Sequence, residues 1–180
     1  MAVMTAIAIG GLAMSAYQAY RAGQSANTAG KAQQDAANSQ ADLADFNAQV
    51  ADLQATDALA RGDQNEARFR AGVRGMVGTQ RTGFAAGGID VSSGSAVDVQ
   101  ADTAYFGELD ALQIKTNAAR EAWGFSVQAD DLRKRAEIAR KSGVFLEATG
   151  RANATSAYVA GATSLVVGSA NLYKQKYGMN

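Results

Sequence analysis

Apolar side chains recur along this chain in series with steps of three and four residues. Leu43, Phe46, Val50 and Leu53 form one such series. Tyr105, Leu109, Leu112, Ala119, Trp123 and Val127 form another, interrupted only by Thr116, and Leu132, Ala136 and Ala139 extend it. This is the period of an α-helix, and so narrow a stripe belongs to a coiled-coil-like seam rather than to a wide core-facing surface. Leu43, Phe46, Val50 and Leu53 on one helical arm, with Leu109, Leu112 and Trp123 on a second, are therefore expected to be the seam of the helical hairpin, with the aromatics Tyr105, Phe106, Trp123 and Phe125 anchoring either the bundle or a contact with a neighbouring subunit. Phe69, Val73, Met76, Val77 and Phe84 continue the first arm, although Gly72, Gly75 and Gly78 lie among them. Each glycine costs a helix about 1 kcal/mol relative to alanine. Close approach of a neighbouring helix is the expected compensation, with a segment built to unfold as the alternative.

Between the two arms the pattern breaks once, in a Gly/Ser-rich stretch at 83–98. Gly87 and Gly88 suit the C-terminal end of a helix, and Ser95 followed by Asp98 has the spacing of a capping box that opens the next. The arms then cover 31–86 and 95–151, with the turn at 87–94. Backbone N–H groups in such a loop can hold an anion, but no P-loop lysine follows and no strand precedes, so the turn is expected to be structural. A helix from 95 to 151 would span roughly 85 Å at its usual rise, which predicts a rod.

Both ends of the chain are apolar. Residues 1–20 carry no charge, and Ile7, Gly10 and Gly11 lie in a helix expected over 1–22 and expected to serve in membrane or oligomer contact, followed by a small polar spacer at 23–30. The basic start of a secretory signal is missing from Met-Ala-Val-Met, so retention is expected. Residues 152–173 are again uncharged and open a C-terminal segment over 152–180 that ends in Lys174 and Lys176. Tyr158 and Tyr173 could mark two membrane interfaces, with Leu165 and Val166 between them, while Gly161 and Gly168 let helices meet closely. Asn153, Ser156, Thr163 and Ser169 make the segment too polar for a lone lipid-facing span. It is expected to serve in membrane or oligomer contact, and to pack on residues 1–20 before a membrane is supplied.

Composition narrows the chemistry. The 180 residues include no proline, cysteine or histidine, and aromatics reach only 7%. Without proline, long uninterrupted helices are permitted. Without cysteine and histidine, disulfides, thiolate catalysis, zinc–cysteine sites and the commonest general base are excluded. Seventeen basic and seventeen acidic residues cancel, so no overall field draws the chain to nucleic acid. Glu108, Asp110 and Glu121 lie near Tyr105, Phe106, Trp123 and Phe125, but a rod offers no cleft for paired-carboxylate hydrolysis. No catalytic, cofactor-binding or metal-binding residues are expected.

Charge order supplies a register. Asp35, Asp42, Asp45, Asp52 and Asp57 precede a mainly basic run from Arg61 to Arg81; Asp90, Asp98, Asp102, Glu108 and Asp110 precede a net basic run from Lys115 onward. Folding the chain back near residue 90 brings Arg70 near Asp110, Arg81 near Val99 and Asp45 near Arg135. Opposite blocks then face each other, selecting the antiparallel alignment more than stabilising it.

The run Gly87-Gly88-Ile89-Asp90-Val91-Ser92-Ser93-Gly94-Ser95-Ala96-Val97-Asp98, continued through the helix to Trp123-Gly124-Phe125, resembles a stretch of the internal virion proteins of short-tailed bacteriophages. In layout the resemblance extends to the whole chain. It implies a protein packed near the portal, passed through the tail at infection, and reassembled with other ejected proteins as a channel in the host outer membrane. No catalytic residues are implied.

The expected fold is thus all-α: a long antiparallel helical hairpin with additional apolar terminal helices, rod-like and oligomeric, because so thin a hairpin buries little by itself. The expected function is that of a non-enzymatic ejection protein, located in the virion interior and then in the host outer membrane. Its expected partners are further copies of itself, other ejected proteins, portal or tail proteins and the membrane, with no sequence-specific nucleic-acid binding although DNA passes through the assembly. A permanent tail or portal-associated protein is the alternative, and a holin-like or secreted bacterial pore former is a third.

Overall fold

The computed structural model describes residues 2–178; the side chains of 2–10, 175 and 176 lie outside the description. Over the described residues the fold is all-α, with two helices: α1, Ala2–Ala86, and α2, Gly94–Tyr177. Neither is interrupted where separate terminal helices were expected. Residues 23–30 are not a spacer but part of α1, and α2 continues through 152 without a break. The reason lies in packing. A Cβ on Gly23 would come within 2.4 Å of the Tyr158 ring, and one on Gly30 within 2.9 Å of the Gly150 Cα. These glycines sit where α2 presses closest, and that contact overrides their poor helix propensity.

The chain forms two compact units, Met1–Ala44 with Lys134–Asn180 and Asp45–Arg133. In each, α1 and α2 run antiparallel in one register: the numbers of facing residues total 180. Leu12 lies against Gly168, Ala19 against Gly161 and Ala37 against Gly143 in the first unit, and Gly62 against Ala118 and Val73 against Gly107 in the second. This is the register that the charge order predicts. The apolar 152–173 segment packs on the start of α1, as expected without a membrane, and the Tyr20 and Tyr158 rings lie 6.1 Å apart.

The interior is made of alanine. Among the described residues, every buried apolar residue is an alanine, from Ala41 to Ala154, and no large side chain is fully buried. Ala48, Ala51 and Ala129 form one cluster with Leu132 against it; Ala55, Ala58 and Ala122 form a second with Phe125. Side chains this small bring helix axes to the near end of the usual spacing of about 8–10 Å.

The turn closes α1 with a Schellman motif. Gly88 has φ 72°, its N–H donates to the Ala85 carbonyl at 3.0 Å, and the Ile89 N–H donates to the Phe84 carbonyl at 3.0 Å. That left-handed position is the one glycine suits. The expected Ser95–Asp98 box does not organise the other side. Asp90 does: its carboxylate accepts from the Ser92 N–H at 2.9 Å, the Ser92 hydroxyl at 2.6 Å and the Ser93 hydroxyl at 2.7 Å. The Ser92 and Ser93 hydroxyls, then the Ser92 N–H, lower the Asp90 pKa to about 2. A carboxylate whose folded pKa lies below its unfolded value of about 3.9 contributes fully above that value and loses its contribution as pH falls towards 2. Protection of the amides of residues 89–93, taken relative to their intrinsic exchange rate at each pH, should therefore fall between about pH 4 and pH 2 in the native protein, and Asp90→Asn should abolish that step.

Candidate functional site

Along α1 the alanine stripe Ala41, Ala44, Ala48, Ala51, Ala55 and Ala58 recurs at the same three-to-four spacing as Leu43, Phe46, Val50 and Leu53, displaced by two residues. Two residues are about 200° of rotation on a helix, so the two stripes occupy opposite faces. The alanines face α2. Leu43, Phe46, Val50 and Leu53 face away, and so do Leu109, Leu112 and Trp123 on α2; all seven are 37–71% exposed. The expected intrachain seam is thus corrected. Large side chains would hold the helices apart, whereas alanine and glycine let the backbones meet, and the large residues are displaced outward.

Outward apolar residues continue in the first unit. Ile138, Val144, Phe145, Val159 and Val166 are all exposed. Of the residues singled out near the chain ends, Tyr158, Leu165, Val166 and Tyr173 are exposed, whereas Gly161 and Gly168 face α1. A Cβ on Gly161 would come within 2.6 Å of the Ala19 Cβ, and one on Gly168 would strike Leu12, so both serve the intrachain seam and not a neighbour. Gly11 is exposed with open space beside it. Ile7 and Gly10 fall in α1, but their side chains lie outside the described residues. Among the described residues, no helix is long and apolar enough to cross a membrane.

Ion pairs flank the seam. In the second unit Arg70 meets Glu108 across the helices and Glu66 within α1 at 2.6 Å, giving a partner to the only buried charged residue among the described residues. Arg61 reaches Glu121 at 3.1 Å, and Arg133 meets Asp52. In the first unit Arg140 lies 3.0 Å from Asp42. Hydrogen bonds to Glu121 and then Asp57 raise the Arg61 pKa, and the bond to Glu108 raises that of Arg70. These side chains are mostly exposed, so each pair adds little stability, and their effect is to hold the register. Glu108 and Glu121, weighed above for hydrolysis, are engaged by these arginines. The groove beside Arg70, Val73 and Glu108, about 300 Å³, is open to solvent.

The signal overlooked in the sequence was the heptad of small residues: Gly23, Gly30, Ala37, Ala44, Ala51 and Ala58 stand seven apart. The site is thus a surface without reactive chemistry, in which apolar side chains that the fold does not use point outward. Comparison with curated proteins and with solved structures finds no match. A family match nevertheless covers the whole chain, residues 1–180, and by it this two-helix protein belongs to the T7 virus internal virion protein gp14 family.

Proposed function

We propose that this internal virion protein leaves the particle at infection and, as an oligomer, forms part of a channel across the host outer membrane through which the genome is delivered. The observation that carries this reading is the inversion of its apolar residues. The helices spend alanine and glycine on each other and leave Phe46, Leu53, Trp123 and Phe145 more than 60% exposed. Burying one such side chain contributes about 1.5–3 kcal/mol, more than an alanine contact, so the larger part of the apolar driving force is available for neighbours. Those neighbours are other copies, other ejected proteins, portal or tail proteins and, at the membrane, lipid. The exposed Tyr158, Leu165, Val166 and Tyr173 supply the lipid-facing side, and an array of copies shields the polar residues between them. The protein acts without catalysis or cofactor, and DNA passes through the assembly without being read.

Particles analysed before and after genome release test the first half: the protein should disappear from emptied particles, and its retention would instead favour a permanent tail or portal-associated role. Dye release from liposomes of outer-membrane lipid tests the second half, and intact liposomes at saturating protein would count against a channel.

A further inference from the structure

Gly72, Gly75 and Gly78 pack against nothing in their own chain: a Cβ at any of them meets no heavy atom within 4 Å. The glycines of the seam are different, since a Cβ on Gly62 would come within 2.2 Å of Ala118. The outward stripe of α1 in this region reads Arg68, Gly72, Gly75, Thr79 and Thr82, all exposed. It is a smooth, basic strip about 22 Å long. The outward stripe of α2 at the same level reads Asp98, Asp102, Tyr105, Leu109 and Leu112, also exposed. It is ridged and acidic. Arg74 and Arg81 flank the first strip and Asp110 the second. Among the described residues, Arg68, Arg74, Arg81, Asp98, Asp102 and Asp110 form no ion pair within the chain.

We propose that the outward stripe of α1 around Gly72 and Gly75 in one copy seats the outward stripe of α2 around Tyr105 and Leu109 in a second copy of this chain. The proposal rests on the oligomeric reading above and supplies its contact surfaces. Copies standing side by side and pointing the same way place α1 of one antiparallel to α2 of the next, as within a single chain. In the same register, Tyr105 and Leu109 come to Gly75 and Gly72, while Asp98 and Asp110 come to Arg81 and Arg68. Shape and charge then agree at the same positions. Pairing like with like would set arginine against arginine, so a two-fold contact is disfavoured. Each stripe lies opposite its helix's own seam, so a neighbour on one leaves the other free. Contacts of this head-to-tail kind propagate from copy to copy, into a ring where the rotation between copies closes and into a filament where it does not.

Sedimentation of the full chain, alone and with outer-membrane lipid vesicles, tests this with two charge reversals. One carries Arg68→Glu, Arg74→Glu and Arg81→Glu; the other carries Asp98→Arg, Asp102→Arg and Asp110→Arg. Each alone should associate about tenfold more weakly or worse, and an equimolar mixture should recover wild-type association, because alternating copies again present opposite charges. Gly75→Leu guards against misfolding as the explanation: it fills open space and improves helix propensity, so thermal stability should hold or rise while association falls. Unchanged assembly of the charge reversals or of Gly75→Leu, or a mixture that fails to recover although both components are helical, overturns the proposed contact. A wild-type chain that assembles while the variants behave identically sinks this interface alone. A wild-type chain that stays single with and without vesicles sinks the oligomeric reading with it.

Discussion

Gly150→Leu is expected to melt the protein well below the wild-type temperature, with a loss of at least about 2 kcal/mol in urea titrations followed by circular dichroism. A Cβ at this position would lie 2.7 Å from the Gly30 Cα and 2.9 Å from the Ala26 carbonyl oxygen. Those are backbone atoms, so no rotamer change relieves the overlap, and the helices must separate and give up neighbouring small-residue contacts. Leucine's better helix propensity, worth about 0.8 kcal/mol over glycine, works in the opposite direction and is too small to compensate. Gly75→Ala supplies the contrast. With open space around it, that substitution should stabilise the chain by about 0.5–1 kcal/mol. Responses of opposite sign from two helical glycines would locate the seam; a harmless Gly150→Leu would show that the helices do not approach as described.

The second large effect separates folding from assembly. Replacing Phe46, Leu53 and Trp123 together with serine should leave helix content and melting temperature of the dilute protein close to wild type, because all three are more than 60% exposed. Self-association, measured by sedimentation, should weaken on the order of a hundredfold or more, since buried aromatic anchors dominate interface energies. Were these residues the intrachain seam, the same variant would unfold. The two outcomes cannot be confused.

That distinction marks the limit of what sequence alone conveyed. Helical class, a single reversal at Gly87 and Gly88, and the alignment of the arms were all legible, because each depends on local signals or on charge order. Arg70 pairs with Glu108 rather than with Asp110, a shift within the reach of an arginine side chain. The facing stripe was not legible from period. Leu43, Phe46, Val50 and Leu53 repeat as the alanines do, and a spacing states which residues share a face but not what that face touches. Side-chain volume was the deciding variable, and it favours the smaller stripe only when two backbones come very close. Gly23 and Gly30 resembled a chain break for a related reason: glycine marks either a turn or a close approach, and only the partner helix decides between them. At the turn, Ser95 had the spacing of a cap, but Asp90, five residues earlier, reaches two hydroxyls and an N–H and satisfies more donors than a single serine oxygen.

A constant total of 180 between facing residues has a consequence for how such a chain can change in length. Inserting one residue in α1 turns everything beyond it by about 100°, swinging alanines off the partner and bulky groups onto it. Loss of seven from one helix preserves the face but slides acidic blocks past their basic counterparts. Only matched gains or losses, a heptad in each helix at the same level, keep both. Viable length variants of this protein are therefore expected to come as paired events in distant parts of the coding sequence.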